Sequence, residues 1–243
     1  MKYIKTALLL SLFFILIGGN MGVIALAMDT GFTTETVLDK DAERIIENID
    51  VKLLKEEPKG MSIKCFDVNE KGNFAIGSEK FGYKRIAVYN SDSVFIYGIE
   101  FDDNGTFYLE LTDDNHLLIY FVRGDIAVSI DSTGKVVEVL QISDTSDNSV
   151  YWRSLRSLKR ESGEMQYILK NDMGILNIFA TSYSQIIAVD VEGNKTVIFD
   201  SETTADQVAV IVVVFIGITI FFIVFTIYIV RLIKKQRKQS AMA

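Results

Sequence analysis

Residues 62–78 read SIKCFDVNEKGNFAIGS, two apolar runs on either side of an Asn-Glu-Lys-Gly connector. Ile63, Cys65, Phe74 and Ile76 recur at alternate positions, the period of a half-buried strand. Asn69 and Gly72 tolerate the positive φ that a tight hairpin needs. The stretch is therefore strand, turn, strand. The same grammar continues with KRIAVYN, SVFIYGIEF, TFYLELT, HLLIYFV, DIAVSI, KVVEVLQI, MQYILKN, ILNIFA, QIIAVDV and KTVIFDS. Asp102-Asp-Asn-Gly105, Asp131-Ser-Thr-Gly134, Asn171-Asp-Met-Gly174 and Glu192-Gly-Asn194 serve as further connectors. Short strands at this spacing predict a mainly β domain over 61–202, an antiparallel meander of about twelve strands.

The meander carries an internal repeat. Ile-Ala-Val occurs at 86–88, 126–128 and 187–189, each time followed by a polar turn and another apolar strand. That divides the strands into three blade-like groups of four. The last interval is lengthened by residues 143–163, a polar and basic stretch holding the sole tryptophan, Trp152, which reads as a long loop with a helical turn. The phrase FDVNEKGNFAIG is similar to the opening of NHL-type and other β-propeller blades. The whole layout resembles bitopic membrane proteins of Gram-positive bacteria with an extracytoplasmic domain of such blades. The resemblance spans 62–202 and implies a fold and a topology, and no activity. Three blades are fewer than the four to eight or so that close a propeller ring. The expected form is thus an incomplete propeller or a curved sandwich.

Upstream, Leu38, Ala42, Ile45, Ile46, Ile49 and Leu53 share one face of a helix, and Pro58 ends it. This predicts a short amphipathic helix over 36–57.

Apolar blocks bound the domain. Residues 208–230, VAVIVVVFIGITIFFIVFTIYIV, run 23 residues without a charge. Such a run spans about 35 Å as a helix, enough to cross a hydrocarbon core of about 30 Å. A transmembrane helix is predicted over 207–230. The basic tail 231–243, with Arg231, Lys234, Lys235, Arg237 and Lys238, marks its cytoplasmic end by the positive-inside rule. Residues 1–28 combine Lys2 and Lys5 with an apolar core and the small residues Ala25 and Ala27. They read as a signal peptide or as an N-terminal transmembrane anchor. Either reading puts the body outside the cytoplasm, at the cell membrane, with the C-terminus cytoplasmic.

The body between these blocks holds 18 Lys and Arg against 32 Asp and Glu, a net charge of −14. Such a surface repels phosphate backbones and argues against nucleic acid as a partner. The lipid bilayer and a membrane or envelope protein are the expected partners.

Catalytic, cofactor and metal patterns are lacking, so the sequence nominates no catalytic, cofactor-binding or metal-ligating residue. His116 is the sole histidine and follows the Asp113-Asp114-Asn115 turn. Cys65 is the sole cysteine and sits among alternating apolar residues, the setting of a packing thiol. Asp67-x-Asn69-x-Lys71-Gly72 begins like a calcium loop, but lysine stands where an oxygen ligand is needed. Arg123-Gly124-Asp125 fits a hairpin connector better than an adhesion signal. The expected function is a non-enzymatic binding or sensing module. An accessory subunit of a membrane complex and an envelope hydrolase using scattered carboxylates are the alternatives. Tyr151, Trp152 and Tyr183 are the candidate contact surface, with Tyr83, Tyr89 and Tyr97 as further aromatic positions.

Overall fold

The computed structural model describes residues 28, 30–80, 82–180 and 182–240. The predicted signal or anchor segment lies outside the described residues, apart from Met28. Fourteen strands are described: β1 (Thr34–Thr36), β2 (Lys52–Leu54), β3 (Ile63–Val68), β4 (Phe74–Lys80), β5 (Tyr83–Tyr89), β6 (Phe95–Phe101), β7 (Phe107–Leu111), β8 (Leu117–Phe121), β9 (Ile126–Ile130), β10 (Val136–Ile142), β11 (Lys159–Ser162), β12 (Met165–Lys170), β13 (Gln185–Val189) and β14 (Lys195–Asp200). The helices are α1 (Asp39–Ile49), α2 (Ser146–Leu155), a 3-10 helix (Gly174–Phe179) and α3 (Thr204–Ser240).

The strands form three open antiparallel sheets. A central sheet runs β2-β6-β5-β4-β3, a second runs β1-β10-β9-β8-β7, and a third runs β11-β12-β13-β14. Each is a four-strand meander, and the first two gain one outer strand. Ile-Ala-Val lies on the third strand of each: β5, β9 and β13. Asn90, Asp131 and Asp190 open the turns to the fourth strands, each accepting two backbone N–H bonds on its side-chain oxygen. That Asx geometry makes the polar connectors hairpins. The calcium-like motif is such a turn, with Asn69 Oδ1 accepting from the N–H groups of Lys71 and Asn73. Gly124 and Asp125 both have positive φ in the β8–β9 turn, which explains Arg123-Gly124-Asp125 as a connector.

The central sheet is buried on both faces. Ile86, Val88, Ile99 and Phe101 face the second sheet's Leu109, Leu117, Ile119 and Val128. Phe101 meets Phe107 and Phe121 edge-on at 5.1 and 5.7 Å between ring centres. Phe66, Phe74, Ala87 and Tyr89 face the third sheet's Tyr167, Leu169, Ile186 and Ala188. Each fully buried large apolar side chain contributes about 1.5–3 kcal/mol. The outer face of the second sheet, with Leu118, Tyr120, Ala127 and Leu140, is covered by Phe32 and by Leu155, Tyr151 and Trp152 of α2.

Three segments depart from the sequence reading. The predicted 36–57 helix is confined to Asp39–Ile49, where Asp50 takes a left-handed conformation and its N–H bonds Ile46 O. Residues 52–54 instead pair with β6. The edge of β6 supplies Lys52–Leu54 with the backbone partners that further helical turns would otherwise supply. In the 143–163 stretch, α2 is capped by Thr145, whose Oγ1 accepts from Asn148 N–H at 3.1 Å. There Lys159–Ser162 forms strand β11 rather than loop. Of the expected strand ILNIFA (175–180), residues 175–179 lie in the 3-10 helix and Ala180 follows it in extended conformation. Ile175, Ile178 and Phe179 stand at i, i+3 and i+4, a helical spacing, and Asn177 Oδ1 accepts from Met173 N–H to fix the turn.

α3 leaves β14 after three residues. Its span Thr204–Arg231 is long and apolar enough to cross a membrane, with an 18-residue stretch of mean hydropathy 3.3 that has no buried residue.

Candidate functional site

The first strands of the three sheets meet. Strand alternation points Cys65 and Asp67 of β3 away from the Phe66 and Val68 face and toward the second sheet. Asp67 lies where β7 and β11 both approach. Leu111 N–H of β7 donates to Oδ2 at 2.9 Å, and Arg160 Nε of β11 donates to Oδ1 at 2.8 Å. One carboxylate therefore joins all three sheets. Its pKa is pushed up to about 6 because burial disfavours its charge more than Leu111 N–H and the guanidinium favour it. Arg160 also donates to the carbonyls of Leu155, Ser157 and Lys159. Leu155 is the last residue of α2, so the cation closes that helix's negative end. Its guanidinium lies 5.5 Å from the centre of the Phe66 ring, a cation–π contact.

Beside this junction Glu110 of β7 accepts hydrogen bonds from two phenols, Tyr120 on Oε2 and Tyr151 on Oε1. The Tyr120 hydroxyl also lies 2.8 Å from Thr30 Oγ1. Burial first, and then the Glu110 carboxylate, hold both tyrosines above the ordinary phenol range, so they stay protonated donors. Tyr151 can reach Glu110 only because residue 31 is glycine. A Cβ there would stand 2.1–2.7 Å from the Tyr151 ring and hydroxyl. Thr30, Gly31, Asp67, Glu110, Thr112 and Tyr151 line an open cleft of about 360 Å³.

The arrangement is suited to recognition. Both oxygens of Asp67 and both of Glu110 already hold a donor. A carboxylate oxygen has two lone pairs, so each can accept a further donor from a bound molecule. Among the described residues no group of three His, Cys, Asp or Glu side chains converges on a point where a metal could sit. His116 lies in the β7–β8 turn, its N–H on Thr112 Oγ1. Cys65 is buried and its thiol is pushed up to about 12, chiefly by desolvation, as a packing thiol should be.

Of the predicted contact residues, Tyr151 lines this cleft and Trp152 does not. Trp152 packs on Phe32, Tyr108 and Tyr120 behind it. Tyr183 stands elsewhere, bridged to Ile63 and packed against the core between the central and third sheets. Tyr89 and Tyr97 are buried, with their hydroxyls on Glu57 and on the Asn115 carbonyl, while Tyr83 is exposed. Sequence reading missed Asp67, Glu110 and Arg160 as a group. For Asp67 and Glu110 the signal was a carboxylate inside an apolar strand run, which also describes many solvent-facing positions; Arg160, in the polar 143–163 stretch, carried none.

No family model matches the chain, and neither a curated protein nor a solved structure is similar to it.

Proposed function

We propose that this chain is a membrane-anchored extracytoplasmic binding or sensing module without catalytic activity, its body held rigidly above the bilayer. The observation that carries this reading is the join between body and helix. Ser201 N–H donates to Ser184 O, Thr204 Oγ1 donates to Ser184 Oγ, and the buried hydroxyls of Ser201 and Thr203 lie 2.7 Å apart. Gln207 Nε2 reaches Thr203 Oγ1 at 3.2 Å. A flexible tether would have no use for such a network. A rigid mount fixes which surface of the body faces outward and carries tilts of the body into the helix. The Glu110–Tyr151 cleft is the recognition surface, open to a partner that supplies hydrogen-bond donors or positive charge to an acidic body.

A propeller-like order of the sheets accords with this reading. Aligned on the hairpin turns at Asn90, Asp131 and Asp190, Ala188 corresponds to Val88, and Ala87 to Val128. Ala188 of the third sheet faces the central sheet, and Val88 of the central sheet faces the second. Equivalent faces thus point the same way around, as in blades set about an axis. Phe32 and α2 then stand where a further blade would pack.

Protease added to intact cells carrying a tag at the C-terminus tests the topology. The expected result is loss of residues 30–200 with the tagged tail spared. Loss of the tag with the body protected would overturn the proposal.

A further inference from the structure

The loop between β12 and β13 carries a second apolar element beside α3. Its base is closed by Asn171 Nδ2 donating to Ser182 O at 2.7 Å and by Ser184 N–H donating to Lys170 O at 3.2 Å. Beyond that neck the 3-10 helix Gly174–Phe179 has no charged residue. Ile175 is 88% exposed, Ile178 81% and Phe179 45%. Its one polar side chain, Asn177, is turned back onto Met173 N–H. An isolated apolar side chain at a surface is ordinary, but three on one short turn are a patch.

The position of the patch identifies what meets it. The Phe179 ring lies edge-on to Phe215 of α3, 5.2 Å between centres. Leu176 lines a cavity with Val212, Ile216 and Ile220 of the same helix. Phe215 is seven residues inside the charge-free run that begins at Val208, or about 10 Å along the helix axis. Along α3 the lining of the cavity between body and helix passes from Asp206 and Gln207 to Val214 and Ile218, with Ser62, Glu79 and Phe179 contributed by the body. The hydroxyl join at Ser184 and Thr204 holds this geometry. If α3 spans a bilayer, the 3-10 helix must lie below the head groups.

We propose that Gly174–Phe179 is a membrane-inserted wedge. It places Ile175, Ile178 and Phe179 among the acyl chains of the leaflet on the body's side, with Lys170 and Asp172 of the neck at head-group level. This rests on the reading of α3 as a membrane span. The depth is that of an interfacial apolar element, about 5–10 Å into the head-group and acyl boundary. With α3 it gives the body two points of attachment, which prevents rotation about the helix axis.

The test is fluorescence quenching of the full chain in phosphatidylcholine–phosphatidylglycerol vesicles brominated in the upper acyl chain. In a Trp152→Phe background, single tryptophans are introduced as Ile178→Trp, Phe215→Trp and Val191→Trp. The wedge predicts that Ile178→Trp loses emission to within about twofold of the loss for Phe215→Trp, as its interfacial depth requires. Val191→Trp, in the β13–β14 turn, should keep its emission. Quenching of Phe215→Trp without Ile178→Trp overturns the wedge and leaves the anchor standing. Absence of quenching at both overturns the anchor, and the wedge with it. Equal quenching of Val191→Trp would overturn the wedge as a distinct element. If the Trp152→Phe background does not fold, a spin label on Ile178→Cys reports the same depth through oxygen against nickel accessibility. The buried Cys65 thiol stays unlabelled in that experiment.

Discussion

The second and third sheets both pack one face on the central sheet, yet they are finished differently. The second gains β1 along its β10 edge, and Phe32 and α2 cover its outer face. The third has no strand beyond β14 among the described residues, and Lys195, Thr196 and Val197 of β14 are exposed. Its attachments are α3 and the 3-10 loop. The second sheet is thus sealed as a core layer, whereas the third carries α3 and the 3-10 loop. A row of unpaired backbone groups invites pairing with other chains. On the third sheet that risk is met by Lys195, Glu192 and Asp200 at or beside β14.

The largest expected effect tests the seal. Phe32 is 6% exposed and meets Tyr120, Tyr151 and Trp152 with ring centres 4.6–5.0 Å away. Phe32→Ala should cost about 3–5 kcal/mol, read as a shifted urea midpoint of the full chain in detergent. A loss below about 1 kcal/mol would mean the outer face of the second sheet is as dispensable as that of the third.

Asp67, where the sheets join, comes next. Its folded pKa of about 6 lies above the unfolded carboxyl value of about 3.9. The folded protein therefore holds this proton more tightly than the unfolded chain. The site's contribution is most favourable at low pH, falls as pH rises from about 4 to about 6, and levels off above that. Asp67→Asn lacks this slope. Between those limits the stability of the parent chain should drop relative to Asp67→Asn by about 2–3 kcal/mol, measured by urea unfolding across the pH series. A pH-independent difference would sink the account of a carboxylate held charged at a cost between three sheets.

A smaller effect belongs to Gly31. Gly31→Ala places a methyl inside the Tyr151 ring and must push it off Glu110, at about 1–3 kcal/mol. The penalty should largely vanish in a Tyr151→Ala background, where the clash is gone. A penalty of the same size in both backgrounds would place the strain elsewhere in the 28–36 segment. The smallest effect is on the third sheet. Val197 is 51% exposed, and Val197→Thr should change stability by no more than about 0.5 kcal/mol. A larger loss would show that β14 is covered in the membrane-bound protein and that the two sheets differ less than described.

Local pattern made much of this legible. Alternation in Phe107–Leu111 and Val136–Ile142, turn residues such as Asp131 and Gly134, and the charge-free run 208–230 each state their own structure, because period and turn conformation are properties of a few neighbouring residues. So the meander, the first two groups of four and the apolar C-terminal helix could be read from the chain, whereas the third group holds Lys159–Ser162 in place of the expected strand 175–180. Tyr151 and Trp152 stood out as aromatics in a polar insert and read as contact residues, whereas the structure packs both rings on Phe32.

What the tertiary structure decided is where an element's identity depends on a distant partner. Lys159–Ser162 is a strand because β12 offers an edge, and Lys52–Leu54 because β6 does. Ile175–Ala180 has the composition of a strand, but no strand pairs with it among the described residues and its apolar groups turn toward α3. Asp67, Glu110 and Arg160 stand 43 and 93 positions from one end of the cluster to the others, and no local period relates them. The sequence determined most strands, the turns and the apolar C-terminal helix through contacts along the chain. The stacking order of the sheets, the joined carboxylates and the cleft arose only when those strands packed, because long-range burial sets which polar groups must find each other.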